Sequence, residues 1–241
     1  MPRLFKRYSE KILVKINNWF SSRVEGRSRF FSRSLVRLKR PRLIKVNEPG
    51  LYSDYIRLAT LELCAFEVTN KNIPGSVAEL GVYRGDFAKK INEAFPDRKL
   101  YLFDTFAGFN TGDVEFDKNK GYSDLKKGSW KTDTPTETSF VLNVMKHPEN
   151  CIIKKGHFPD SASGLEDSFV FVNIDVDLFV PIYEGLKFFY PRLSKGGFIF
   201  VHDFNNIDWQ GVRDAVIKFC SENNISYVPL PDAQGSVVIS K

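Results

Sequence analysis

From residue 75 to the C-terminus, short apolar runs alternate with segments whose apolar residues return every three or four positions. The runs at residues 76–80, 99–103, 151–155, 169–174 and 198–201 have the length and composition of strands, with that at 169–174 predicted to be buried. Helices are predicted over residues 86–94, 134–147 and 209–220, with another after residue 177. Thr134-Pro135-Thr136-Glu137 reads as a capping box with proline at the first helical position. Upstream, Leu51, Tyr55, Leu58, Leu61, Leu63 and Phe66 form a helical stripe over residues 51–68, ended by Asn70 and Pro74. Residues 105–133, rich in Gly, Asp, Lys and aromatics, are predicted to be irregular, and a Gly196-Gly197 turn is expected before residue 198.

Alternation of strand and helix predicts a parallel α/β sheet covered on both faces. The last two strands, near residues 227–229 and over 235–240, are joined only by residues 230–234. That link is too short for a helical crossover, so they should form an antiparallel hairpin. No internal repeat is present. The N-terminus follows another rule: Phe5, Tyr8, Ile12, Ile16 and Trp19 recur at helical spacing with Lys and Arg between them.

Charge divides the chain at the same place. Residues 1–45 hold 14 Lys and Arg against two acids, a net of 14 − 2 = +12. The whole chain carries +6, so residues 46–241 carry 6 − 12 = −6. A basic amphipathic arm (1–45) thus precedes an acidic domain (46–241). Residues 1–20 suit an anionic membrane surface and equally a helix packing its stripe on the domain, with a nucleic-acid arm or an organelle transit peptide as further readings. The 241 residues accommodate one generous domain plus this appendage. Three scattered cysteines make no metal or disulfide framework, which favours a reducing, cytoplasmic setting, with membrane association through the arm. No apolar run reaches the ~18–20 residues of a membrane span, and Lys11 and Lys15 interrupt the one stretch resembling a signal sequence. A homo-oligomer is compatible with all of this.

Carboxylates mark the predicted strand ends. Asp175 and Asp177 follow the strand at 169–174, and His202-Asp203 follow the strand at 198–201. Open α/β sheets hold ligands at that edge, and two acids converging there could hold a divalent cation, a hydroxyl, or both. The first strand runs into Gly81, expected where a Cβ would crowd a ligand, and Gly85 lets the next helix start close by. Neither a dinucleotide G-x-G-x-x-G nor a phosphate-binding P-loop is present. Asp104 lies 25 positions after Glu79 at the second strand end, where a carboxylate can accept ribose hydroxyls. Glu79, just before a tight turn, could pair with a ligand ammonium. An adenosine joined to an amino acid without phosphates describes S-adenosylmethionine.

These segments together resemble the macrocin O-methyltransferase family, S-adenosylmethionine-dependent class I enzymes acting on sugar hydroxyls. The resemblance runs over residues 75–204 and rests on Glu79-Leu80-Gly81-Val82-Tyr83-Arg84-Gly85, Phe103-Asp104-Thr105-Phe106-Ala107-Gly108-Phe109, Lys155-Gly156-His157-Phe158-Pro159-Asp160, Asp175-Val176-Asp177-Leu178-Phe179, and Leu193 to Phe198 with Asp203-Phe204. It implies a Rossmann-like seven-stranded methyltransferase sheet. Glu79 and Gly81 would line the methionine end and Asp104 the ribose, with Tyr83, Arg84, Gly85, Thr105 and Asp175 as further cofactor contacts. Asp175 and Asp203 would match acids that bind Mg²⁺ or another divalent cation. Where the family shows Asp-Asp-Tyr, this chain has His202-Asp203-Phe204, so His202 stands as a ligand to a softer metal, as a base, or as a buried, hydrogen-bonded strand-end histidine with no chemical role. Asp175, Asp177 and His202 are the expected catalytic residues, and Phe106, Trp130, His157 and Asp160 the expected acceptor contacts. The partner is then a small-molecule or glycan hydroxyl. Two rivals remain: a methyltransferase-like binding module that has lost its chemistry, and a nucleic-acid methyltransferase using the arm, which the acidic domain disfavours.

Overall fold

The computed structural model describes residues 55–122, 138–232 and 234–241. The arm, Trp130 and the Thr134–Glu137 capping box lie outside the described residues. Helix α1 (Tyr55–Asn70) leads into β1 (Ser76–Leu80), α2 (Asp86–Ala94), β2 (Leu100–Asp104), α3 (Thr111–Lys120) and α4 (Thr138–Val144). Then come β3 (Cys151–Lys155), β4 (Phe169–Ile174), α5 (Phe179–Arg192), β5 (Leu193–Val201), α6 (Gln210–Asn223), β6 (Tyr227–Pro229) and β7 (Val237–Ser240). The seven strands form one sheet in the order β3-β2-β1-β4-β5-β7-β6. β1 to β5 pair in parallel; β7 runs antiparallel to both β5 and β6.

Every residue of β1 and β4 is buried. A continuous apolar run is stable there because helices cover both faces of the central strands. One face buries Ala78, Leu80, Phe103, Val172 and Ile174 against α5 and α6. The other buries Val77, Leu100, Leu102 and Phe171 against α1 and α2. The two faces alternate along β1 with the pleat, whereas β4 changes parity where its pairing with β5 shifts register between Phe169 and Phe171.

Three expectations are corrected. Residues 105–133 are not irregular throughout, because α3 lies within them. Its signals are terminal: the Asn110 side chain accepts from the Gly112 amide, and Gly121 closes the helix at φ +71. It has no apolar stripe, so periodicity could not reveal it. In α1 the buried apolar positions are Leu58, Ala59, Leu61, Cys64, Ala65 and Val68, while Leu63 and Phe66 are exposed. The step from Leu61 to Leu63 is not helical, and the true stripe takes Cys64 and Ala65 instead. Gly196 and Gly197 lie inside β5, which begins at Leu193. A Cβ on Gly197 would come within 2.8 Å of the Val170 carbonyl, so the glycine serves close strand approach rather than a turn.

Candidate active site

A cavity of about 360 Å³ opens along the carboxyl edge of the sheet. Glu79 of β1 and Gly81 just after it, Asp104 and Thr105 at β2, Gly156 and His157 after β3, and Asp175 and Asp177 after β4 line it. The strand order arrays these residues from His157 at one end, through Asp104 and Glu79, to the acids next to β5 at the other.

Glu79 is 1% exposed. Its Oε1 accepts from the Asn173 amide at 2.8 Å, and its Oε2 has no partner. Burial first, and then the charge of Asp175, push its carboxyl well above the usual range. A buried carboxylate oxygen left open beside a cavity is costly by itself and is matched by a cationic ligand group. The ammonium of S-adenosylmethionine fits that requirement. Asp104 is more committed than the sequence suggests: Oδ2 accepts from the Val82 and Tyr83 amides, both at 2.8 Å, and Oδ1 from the Phe106 amide at 2.7 Å. It holds the turn after β1 in shape and borders the cavity at the same time. Thr105 likewise borders it while donating to the Gly108 carbonyl.

Gly81 is required by the protein rather than by a ligand. At φ +92, a Cβ there would lie 1.9 Å from the Asp175 carbonyl oxygen. Gly85 caps α2 at φ +84 and packs near Met145 and Val141, away from the cavity wall. Arg84 is also off the wall, its guanidinium 5.3 Å from the centre of the Tyr83 ring. Asp160 is exposed in a 3₁₀ turn and does not line the cavity, whereas Phe106 and His157 do. His157 pairs through Nε2 with Asp113 of α3 at 2.8 Å. Three strands separate it from β5, so it stands at the far end of the edge from His202.

The acids at β4 and β5 converge as the sequence predicts. His202 Nδ1 lies 3.1 Å from Asp175 Oδ1 and 2.5 Å from Asp203 Oδ2. Burial alone would raise Asp175, but His202 and Arg57 outweigh it and hold this carboxyl far below the usual range. For His202, burial opposes the charge, yet Asp175 and hydrogen bonds to both acids bring the imidazole up to about 10. Asp177, at φ +59, is pushed well above the usual range by burial, then by the charges of Asp175 and Asp203. Asp175, His202 and Asp203 each offer one atom, all within 4.8 Å of one another, which a divalent cation could bridge.

Two polar residues at the centre escaped the sequence reading. Arg57 of α1 is buried, donates to Asn173 Oδ1 at 2.8 Å and to Asp175 Oδ2 at 3.0 Å, and stacks 3.8 Å over the Phe87 ring. Asn173 joins it to Glu79, so one network links Glu79 on β1 to Asp175 after β4. The signal for Asn173 was present: an amide inside an apolar strand run must find partners. Arg57 had none, because a cation beside a helical stripe ordinarily reads as solvent-facing.

The comparisons with known proteins agree with this geometry. The family model for macrocin O-methyltransferase matches residues 53–236. The chain belongs to the macrocin O-methyltransferase family. It is 27% identical over 180 residues to the mycinamicin III 3''-O-methyltransferase of Micromonospora griseorubida, covering 70% of each chain. It is 26% identical over 210 residues to a rhamnosyl-tetracenomycin C 4'-O-methyltransferase of Streptomyces olivaceus, covering 82% of this chain and 78% of that one. The O-methyltransferase NovP superposes with a TM-score of 0.60 at 20% identity, over 77% of this chain and 79% of that one. The calicheamicin methyltransferase CalS11 does so with 0.63 at 16% identity, over 100% and 94%. The chain is therefore an S-adenosylmethionine-dependent O-methyltransferase with the class I methyltransferase fold.

Proposed function

We propose that the acceptor is a hydroxyl of a sugar, either free or carried on a glycosylated small molecule, and that a divalent cation assists. The named substrates of the two relatives above support a sugar hydroxyl. The observation that carries the reading is the cavity itself, with the unpartnered Glu79 oxygen along it and Asp175 with Asp177 on its wall. S-adenosylmethionine supplies an already activated methyl, so the protein's task is alignment, worth ~7–11 kcal/mol at best.

Glu79 binds the ammonium, and Asp104 meets the ribose with the lone pairs its backbone donors leave. His157 and Asp113 then belong to the base end, because they lie beyond Asp104 from Glu79 along the edge. Asp175, His202 and Asp203 would hold the cation, which would polarise the acceptor oxygen. Asp177 is the carboxyl placed to take the acceptor proton, since it lines the cavity two residues past Asp175. His202, gripped by both neighbouring acids and absent from the wall, is not.

The test is incubation of the full chain with methyl-labelled S-adenosylmethionine and a panel of rhamnosyl nucleotides and glycosides. Labelled methyl ether on a sugar hydroxyl is the expected product. Saturable cofactor binding with no transfer to any sugar would overturn the acceptor assignment and restore the binding-module reading.

A further inference from the structure

The donor set of the Asp175–His202–Asp203 cluster is mixed, and the protein limits what each acid can give. Arg57 donates to Asp175 Oδ2 at 3.0 Å, and Asn206 donates to Asp203 Oδ1 at 2.7 Å. The oxygens that turn toward His202 are the other two, Asp175 Oδ1 and Asp203 Oδ2. Each acid therefore offers one oxygen, and the third donor is the imidazole Nδ1, whose proton, now shared with the two acids, is released to solvent when a cation binds. The guanidinium of Arg57 also cancels charge on Asp175.

A hard dication is held by charge and by oxygen. Mg²⁺ demands near-ideal octahedral oxygen ligation, and Ca²⁺ takes several oxygens, often both from one carboxylate. Here one oxygen of each acid is already committed to a hydrogen bond, which disfavours bidentate ligation; the net negative charge is reduced, and one of three positions is nitrogen. A first-row transition dication loses less, because an imidazole lone pair binds it strongly. Three donors would leave the remaining positions of a six-coordinate ion to water and an acceptor oxygen.

We propose that this cluster is a two-carboxylate, one-imidazole site selective for a first-row transition dication over Mg²⁺ and Ca²⁺. The inference rests on the methyl-transfer reading for the purpose of the site, and its test is separable from that reading. Mn²⁺ is the probe, because it stands at the weak end of the transition series and makes the comparison demanding.

The full chain is titrated with Mn²⁺ and followed by electron paramagnetic resonance, with Mg²⁺ as competitor. One Mn²⁺ bound per chain, retained against ~100-fold excess Mg²⁺, is the expected result. Pulsed spectra should show modulation from a directly coordinated ¹⁴N, and H202N should lose it. H202D, which restores a third carboxylate, should move the Mn²⁺/Mg²⁺ preference toward Mg²⁺ by ~10-fold or more. Displacement of Mn²⁺ by equimolar Mg²⁺, nitrogen modulation surviving in H202N, or no bound Mn²⁺ would each overturn the proposal. Calorimetric binding of S-adenosylmethionine to the same samples separates the two readings. A chain that binds cofactor and methylates a sugar but takes no Mn²⁺ loses only this inference, whereas a chain that binds no cofactor loses the functional one.

Discussion

Asp175 has a cation on either side, and its two oxygens answer to different elements: Oδ2 to Arg57 of α1, Oδ1 to His202 after β5. Breaking a fully buried pair costs ~3–5 kcal/mol, but Asp175 is partly exposed and keeps His202, so the cost here is ~1–3 kcal/mol. R57L should therefore lower stability by about that much in urea denaturation, although it adds an apolar side chain to a buried position. An unchanged midpoint would mean that Arg57 fills space and does not hold the network. Asp177 is a different kind of residue, because the role proposed for it is in chemistry rather than stability. D177N should reduce turnover by ~10²–10⁴-fold while calorimetry shows S-adenosylmethionine bound almost as before; full activity would move the base elsewhere. Sequence disclosed Asp175, Asp177, His202 and Asp203 because strand-end positions follow from local pattern. The partner 118 positions away, Arg57, could not be read that way, since its burial is decided by how α1 packs across the sheet. Gly81 was legible as a special position but for the wrong neighbour: its constraint is the Asp175 carbonyl, on a strand that sequence alone does not put beside β1.

At the level of elements, α3 has the most to explain. It carries almost no apolar face, yet Asp117 is 1% exposed and accepts from the Phe179 amide at 3.1 Å, at the start of α5. Phe116 and Tyr122 stack on the Phe179 ring, with centroids 5.3 and 5.7 Å away. Burial is the main reason the Asp117 carboxyl is pushed up to about 6, with Asp113 adding to it and the Phe179 amide opposing. A carboxyl raised in the folded state stabilises while protonated. Its contribution is fully present below the ordinary aspartate value and is lost as pH rises through about 6. D117N keeps an acceptor oxygen and removes that titration. Its stability relative to the parent should rise between about pH 4 and 6 and then level off, by at most ~3 kcal/mol. Thermal unfolding of both proteins across this range measures it; a pH-independent difference would show that Asp117 ionises freely. This element was hidden from periodicity because its caps and its buried acid, rather than a stripe, fix it. β1, α2 and β4, whose burial is continuous or strongly patterned, were readable to within a residue, as was β3, a partly buried strand.

On the scale of the whole molecule, the chain joins two parts of opposite charge, +12 over residues 1–45 and −6 over the rest. The sheet order, with β7 between β5 and β6, was only half legible: a short link implied the hairpin, but not which strand would join β5. The family match begins at residue 53, so the methyltransferase fold accounts for the acidic part and leaves the arm unexplained. None of the described helices is long and apolar enough to cross a membrane. The sequence of the arm suits attachment at a membrane surface, with Trp19, Ile16 and Ile12 inserting and the Lys and Arg residues meeting anionic headgroups. Such binding is largely electrostatic at long range, and the screening length falls from ~30 Å at 0.01 M salt to ~10 Å at 0.1 M. The full chain should co-sediment with vesicles containing anionic phospholipid at low salt, much less so at high salt, and hardly with neutral vesicles. Residues 46–241 alone should stay in the supernatant while still binding S-adenosylmethionine, which shows that the loss is not misfolding. Equal sedimentation of the truncated chain would remove the arm from membrane binding. Salt-sensitive retention on RNA or DNA, with no response to lipid charge, would assign the arm's basic face to phosphate backbones instead.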